Sequence, residues 1–429
     1  MTVVRERMRL AGNIEAPPSK SLSQRAIACA VLAEGKSRIR ASSLCADAES
    51  ALRVAHALQA TVDRRAEWIS IRGSLLFREL AAQPLSGQDD ASLDLDCGES
   101  GLCMRMFSPI AALLPKNTRL LASGSLSARP MAMIEEPLKI LGADCRTTEG
   151  RAPITIKGPM RGGLLAMNAG GSSQFLTGLL LALPLAAEDS EILVRATVSR
   201  GYLDLTIAAA KAFGVTIERD DDYSRFNIAG RQRYKAAEYE VEGDWSSAAF
   251  LVVAAALAAA DEGVVIRGLD KGSQQPDSAV LDAAAAAGTR LEFGQEGLRV
   301  GRAALEPFSF DATDCPDLFP PLAALASACP GSSEIRGVSR LRGKESDRAA
   351  SIMAMLTGLG IESKIQGDSL IIYGDTPAGG RVQAWGDHRI AMAAAVAALA
   401  AEAPVAIDGA ECVAKSWPNF FQDLDSLRI

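Results

Sequence analysis

Ser19-Lys20-Ser21, Gly98-Glu99-Ser100-Gly101, Gly171-Ser172-Ser173-Gln174, Gly243-Asp244-Trp245-Ser246, Cys315-Pro316-Asp317 and Gly386-Asp387-His388-Arg389 are six openings of one recurring phrase. Each follows a short strand-like stretch and leads into an Ala/Leu-rich helical run, a brief turn and a second strand. Measured at Lys20, Gly98, Ser172, Ser246, Asp317 and His388, the intervals are 78, 74, 74, 71 and 71 residues. So regular a period marks six copies of one structural unit.

The second half of the unit recurs as well. Helical runs over 47–58, 130–141, 202–213, 277–287 and 345–359 are followed by paired short strands, and Gly142, Gly214, Gly288 and Gly360 stand where a left-handed helix C-cap is wanted. The unit therefore reads β-α-β-α-β-β, with the sixth cut short after 417–427. Strands ahead of the openings alternate, with Leu93 and Leu95 against Asp94 and Asp96, and Tyr239 and Val241 against Glu240 and Glu242. Period two implies one face buried under helices. Three units before about residue 240 and three after it predict an α/β protein of two lobes, 21–240 and 1–20 plus 241–429. Residues 17–18 and 240–244 are the predicted crossings between them.

Composition narrows the function. With 429 residues, 48% apolar and 23% charged, the chain reads as a globular protein large enough for two cores. Its longest apolar run, 248–260, is too short to span a bilayer and is read as a buried helix. The opening Met-Thr-Val-Val-Arg-Glu-Arg lacks a signal-peptide core, which favours the cytoplasm. Eight cysteines without a Cys-x-x-Cys pair read as reduced, buried thiols, and only two histidines, His56 and His388, argue against a metal site. A net charge of -7 disfavours nucleic acid as a partner.

Helix starts carry partial positive charge, so six of them brought to a cleft between lobes would hold a small anion. Ser, Gly and Asp also cap helices in any α/β protein, and the caps alone decide nothing. Lys20, Arg25, Arg105, Arg129, Arg348, Arg389 and Lys415, however, all fall at or near the openings. Arginine grips carboxylate or phosphate with a planar fork and lysine adds a mobile point charge, a set suited to a ligand carrying both groups. Asp317 and Glu345, in the same company, are the candidates for acid-base work. The glycine-rich 170–173 stretch lacks the Gly-Lys-Ser/Thr ending of a nucleotide loop.

In order along nearly the whole chain, Ser19-Lys20-Ser21-Leu22-Ser23-Gln24-Arg25, Gly101 with Met104-Arg105, Arg129-Pro130, Ser172-Ser173-Gln174-Phe175-Leu176-Thr177, Glu242-Gly243-Asp244, Pro316-Asp317, Lys344-Glu345-Ser346-Asp347-Arg348, Asp387-His388-Arg389 and Ala414-Lys415 resemble the 5-enolpyruvylshikimate-3-phosphate synthases. The resemblance implies a two-lobed inverse α/β barrel of three units per lobe. It also implies transfer, without cofactor or metal, of the enolpyruvyl group of phosphoenolpyruvate to the 5-hydroxyl of shikimate 3-phosphate. By the family pattern Lys20, Ser21, Arg25, Ser172, Ser173, Gln174, Ser199, Tyr202, Asp317 and Lys344 hold shikimate 3-phosphate. Lys20, Gly101, Arg129, Gln174, Arg348, Arg389 and Lys415 enclose phosphoenolpyruvate, Asp317 is the base and Glu345 the proton donor. The enzyme is expected to be a monomer of the cytoplasm with no nucleic-acid or membrane partner.

Several positions depart from the pattern. Glu99 places an extra carboxylate near the phosphoenolpyruvate residues and should weaken anion binding unless it turns away or pairs with an arginine. Arg340 stands where some relatives carry Asn, and Gly201 replaces a Pro between Ser199 and Tyr202. Two rivals share the fold: a UDP-N-acetylglucosamine enolpyruvyl transferase and a non-catalytic ligand-binding scaffold. The Ser172-Ser173-Gln174 triplet and the lack of a cysteine in 115–129 weigh against the first, and the joint presence of Asp317, Glu345 and the cations against the second.

Overall fold

A computed structural model describes residues 1–41, 43–80, 92–170 and 172–429, so Gly171 of the third opening lies outside the described residues. The chain divides into two compact units, Lys20–Val241 and Met1–Ser19 with Glu242–Ile429. Mixed sheets covered by helices within each unit make the two-domain inverse α/β fold.

The unit Lys20–Val241 holds three four-stranded sheets of one design. One runs Leu93–Asp96, Asn117–Leu121, Arg151–Lys157, Asp144–Thr148, its first pair parallel and the others antiparallel. Gly163–Asn168, Ser190–Arg195, Arg225–Ile228 and Glu218–Arg219 repeat that order. Register explains the alternation: Leu95 lies opposite Leu120 with both side chains fully buried, while Asp94 lies opposite Arg119 and accepts from its Nε at 2.7 Å on the outer face.

The third sheet departs from the linear repeat. Its first strand, Glu238–Glu240, pairs in parallel with Lys36–Arg40, the strand after the first opening helix. Conversely Leu10–Glu15, the strand before the first opening, pairs in parallel with Ala259–Arg267 in the other unit. The first and fourth repeats thus exchange their leading strands. Period-two patterning reports that a strand has one buried face and says nothing of which neighbour it meets. The shortened sixth repeat is completed likewise: Thr2–Arg5 joins Val405–Asp408, which pairs with Gly380–Gln383.

Opening helices form the cores. Gly101–Ala111, Trp245–Ala258 and His388–Ala397 are buried at every position, so no polar face survives and packing rather than amphipathic docking holds them. Each fully buried Leu, Ile, Phe or Met contributes about 1.5–3 kcal/mol, against intrinsic helix preferences of a few tenths. Their starts are fastened by side chains: Ser100 Oγ accepts from Cys103 N, Asp244 Oδ1 from Ser247 N and Asp387 Oδ1 from Arg389 N. All eight cysteines are free thiols, seven of them buried. No helix among the described residues is long and apolar enough to cross a membrane.

Gly178 sets how closely Gln174–Ala182 approaches Gly101–Ala111. A Cβ there would stand 2.7 Å from the Arg105 and Met106 carbonyl oxygens and 2.9 Å from Met106 Cα, all backbone atoms that cannot swing aside. Alanine would gain about 1 kcal/mol of helix preference, whereas forcing helices apart costs about 1–3 kcal/mol. Gly178→Ala is therefore expected to lower the denaturant midpoint, and an unchanged or higher midpoint would show that the two helices separate freely.

Candidate active site

In the unit Lys20–Val241 the polar openings become buried cations. Lys20 begins the helix Lys20–Leu32, and its Nζ lies 3.4 Å from Asp47 Oδ2. Further along, Arg25 is 1% exposed, and its guanidinium donates to Thr206 Oγ1 at 2.9 Å, the Ser21 carbonyl at 2.9 Å, the Tyr202 carbonyl at 3.1 Å and Thr177 Oγ1 at 3.4 Å. Each of these partners, among the described residues, is neutral. Burial lowers its pKa to about 10, which leaves the group charged at neutral pH with its charge unbalanced. Such a cation is ready for an anion.

Ser199 adopts a left-handed conformation, φ 54°, as the N-cap of Arg200–Ala212, and Tyr202 lies in that helix's first turn. Gly201 follows Arg200 inside the helix, so the turn is built without the proline. Ser172 Oγ accepts from Gln174 N at 3.2 Å, and Ser173 is buried beside it. Gln174 Oε1 in turn accepts from Arg105 at 2.7 Å, while Arg105 also donates to the Pro130 carbonyl. Arg129 is 9% exposed, and its Nε has no hydrogen-bond partner among the described residues. Its Nη1 would lie 2.5 Å from a Cβ built on Gly101, so the guanidinium rests on the bare face of that glycine. Glu99 accepts from Ser125 N at 3.1 Å and Ser125 Oγ at 3.0 Å, which ties it to the start of the 3-10 turn Gly124–Ala128.

The other unit gathers Asp317, Lys344, Glu345, Arg348 and Arg389 into one network. Arg348, wholly buried, donates from Nε to Asp387 Oδ2 at 2.9 Å, from Nη1 to Asp317 Oδ1 at 2.8 Å and from Nη2 to Glu345. Arg389 Nη2 lies 2.9 Å from Asp317 Oδ2 and donates to Ser246 Oγ at 2.8 Å; Nη1 is 2.9 Å from His388 Nε2. Lys344 Nζ stands 3.5 Å from Asp317 Oδ1. Lys415 closes the 3-10 turn Ala410–Lys415, which packs on the helix His388–Ala397. Arg340 donates to the Thr313 carbonyl at 3.3 Å, and burial lowers its pKa against the pull of Asp314 and Asp317.

Charges here are mutually set. Burial alone would raise the Asp317 carboxyl, and Glu345 pushes the same way, but Arg389, Lys344 and Arg348 outweigh both and hold it well below the usual carboxylate range. Lys344 is lowered, first by burial and then by the two arginines. Arg348 is raised, because Asp387, Glu345 and Asp317 outweigh the burial that opposes them.

Two acids in these networks carry no role that sequence reasoning assigns. Asp47 pairs with Lys20, and Asp387 both caps its helix and holds Arg348. The signal for Asp387 is its place in an opening beside His388-Arg389. Arg348 and Asp387 are both fully buried, so deleting the acid removes one of the three carboxylates on Arg348 and leaves its Nε without that partner in the core. Asp387→Ala should cost about 3–5 kcal/mol of stability, whereas Glu238→Ala, which removes the half-exposed partner of Arg38, should cost less than about 1 kcal/mol. Equal losses in urea unfolding would mean that Arg348 finds other compensation.

Comparison with known proteins bears on what such a site serves. The sequence pattern of the EPSP synthase (3-phosphoshikimate 1-carboxyvinyltransferase) family matches residues 4–424. The 3-phosphoshikimate 1-carboxyvinyltransferase of Clostridium kluyveri is 36% identical over 421 residues, covering 98% of this chain and 95% of the relative. That of Methanocorpusculum labreanum is also 36% identical, covering 100% of this chain and 98% of the relative. Among solved structures, an EPSP synthase from Acinetobacter baumannii superposes with a TM-score of 0.80 at 25% identity, covering 100% of this chain and 98% of that one. The enolpyruvyl transferase NikO from Streptomyces tendae, 16% identical with 99% and 97% covered, shares the fold with a TM-score of 0.76. The chain therefore belongs to the EPSP synthase family, the 3-phosphoshikimate 1-carboxyvinyltransferases.

Proposed function

We propose that this chain carries out its family's reaction with the residues gathered above: transfer of the enolpyruvyl group of phosphoenolpyruvate to the 5-hydroxyl of shikimate 3-phosphate, with release of phosphate. The observation that carries this reading is Arg25, a buried cation whose partners among the described residues are all neutral. It fits the 3-phosphate, with Ser21, Ser172, Ser173, Ser199, Tyr202 and Lys344 around the shikimate. Arg129, Arg348, Arg389 and Lys415 serve phosphoenolpyruvate, Gly101 leaves room beside Arg129, and Lys20 and Gln174 touch both substrates. The enzyme acts as a cytoplasmic monomer without cofactor or nucleic-acid partner.

Chemistry follows from competition for the arginines. As the side chains stand, Asp317 is too well paired to be a strong base, and Glu345 accepts a hydrogen bond from Arg348. The carboxylate and phosphate of phosphoenolpyruvate draw on the same donors. As Arg348 and Arg389 turn to the substrate, both carboxyls lose cationic partners and their proton affinities rise. Glu345 can then carry the proton given to the methylene carbon, while Asp317 takes the hydroxyl proton as the oxygen bonds to the central carbon. The tetrahedral ketal next loses phosphate as the carboxylate of Glu345 takes back one methyl proton, and the cations stabilise the charge that collects on the leaving group.

The Ser172-Ser173-Gln174 triplet and the Ser199/Tyr202 pair decide acceptor choice. Purified protein is expected to release phosphate from phosphoenolpyruvate with shikimate 3-phosphate and not with UDP-N-acetylglucosamine; the reverse preference would overturn the assignment. Binding of both ligands with no phosphate release would instead mark a scaffold. Asp317→Asn and Glu345→Gln should each lower turnover by about 10²–10⁴-fold, the range for lost proton transfer. Near-normal turnover in either variant would make that carboxylate structural.

A further inference from the structure

The chain passes between its two units twice, at Ser19–Lys20 and at Val241–Glu242. The two passages lie side by side: Ser19 N donates to the Glu242 carbonyl at 2.9 Å, and Asp244 N to the Pro17 carbonyl at 2.7 Å. One side chain joins them. Gln275, 5% exposed, accepts at Oε1 from Ser19 Oγ at 3.1 Å and from Trp245 N at 3.2 Å. Its Nε2 donates to Glu242 Oε1 at 2.9 Å and to the Gly243 carbonyl at 2.8 Å. Both lone pairs and both protons of the amide are used, the full capacity of the group. Gln275 is itself held, its N–H donating to Ser273 Oγ, which donates on to Glu242 Oε1 at 2.8 Å.

The helix after each passage gives this amide its reach. Ser19 precedes Lys20, which begins its helix and pairs with Asp47. Trp245 precedes Ser246, whose hydroxyl accepts from Arg389, and Arg389 lies on Asp317. A shift at Gln275 therefore displaces the starts of two helices, one bearing Lys20 and the other bearing the anchor of Arg389.

We propose that Gln275 is a positioning residue that latches the two passages together and so sets the placement of Lys20 and of Arg389 at once. The proposal rests on the reading of those two cations as substrate ligands. Asparagine is too short to span the four partners. Glutamate has the length but turns a donor into an acceptor facing Glu242 Oε1 and the Gly243 carbonyl.

The test compares the wild type, Gln275→Glu, and Gln275→Glu combined with Glu242→Gln, which puts a donor back between positions 242 and 275. Amide hydrogen exchange is followed at Ser19 and Lys20 and in 242–246, with 101–111 as an internal reference, and kinetics are measured with phosphoenolpyruvate and shikimate 3-phosphate. Gln275→Glu should speed exchange in both passages by about tenfold, the factor for roughly one hydrogen bond, and leave the reference helix unchanged. It should lower kcat/KM by about 10²-fold through both kcat and the two KM values, as misplacement of substrate-holding groups does. The double variant should recover part of each loss. Unchanged exchange in the passages, or a kinetic loss that the second substitution does not relieve, would overturn the latch. If Gln275→Glu fails to fold, Ser19→Ala removes one of the four bonds and must show the same joint effect in smaller measure; unchanged exchange there is equally fatal. Wild-type protein with no phosphate release would sink the assigned activity while leaving the exchange result to judge the latch.

Discussion

A buried guanidinium held by three carboxylates is the constraint on which the unit Met1–Ser19 with Glu242–Ile429 depends. Arg348 could not be placed in the core alone, because an unpaired ion there costs several kcal/mol. Asp387, Asp317 and Glu345 supply the compensation from three separate segments: a helix cap, a 3-10 turn after Cys315 and the turn before Arg348. The pairing that permits burial also leaves Asp317 and Glu345 facing one cation. A proton arriving on one weakens its hold on Arg348 while a proton leaving the other strengthens it, so the local charge can stay nearly constant through the exchange.

The two units solve opposite electrostatic problems. In Lys20–Val241, Arg25 is surrounded by hydroxyls and carbonyls, and Arg129 lies on a glycine, so positive charge is left over. In the other, Lys344, Arg348 and Arg389 are matched by Asp317, Glu345 and Asp387. An anion gains most where charge is unbalanced, whereas proton transfer needs groups whose affinities can be moved by a rearrangement.

Much of this is legible from spacing. The period near 71–78 residues marks the repeat, and the alternation of Leu93 to Asp96 marks the buried face that Leu95 and Leu120 occupy. Exchange of the leading strands is not legible, because Leu10–Glu15 and Glu238–Glu240 have equally good inward faces and no residue names its partner. The run 345–359 reads as one helix, but the helix spans Arg348–Gly358 and Asp347 caps it by accepting from Ala350 N, which leaves Glu345 in the turn where Arg348 can reach it. Asp47 and Asp387 stay hidden in the sequence because an acid at a helix start is ordinarily a cap. Asp387 is a cap, with one oxygen on Arg389 N, and only the three-dimensional arrangement shows the other oxygen on Arg348. Glu99 looks hostile to anions from its position alone; in the fold it is tied to the start of the turn that ends at Ala128, next to Arg129.

Strand exchange between the first and fourth repeats also sets an order of assembly during synthesis. Leu10–Glu15 is made well before its parallel neighbour, which begins at Ala259, and Thr2–Arg5 waits for Val405–Asp408. At 5–20 residues per second the first of these delays is about 10–50 s. Throughout that interval the unit Lys20–Val241 can close its own three sheets, including the strand Glu238–Glu240, while the amino-terminal strands stay unpaired. The unit that carries Asp317, Glu345 and Arg348 is thus completed after Lys20–Val241, and two of its three described sheets are sealed by strands made ahead of that other unit.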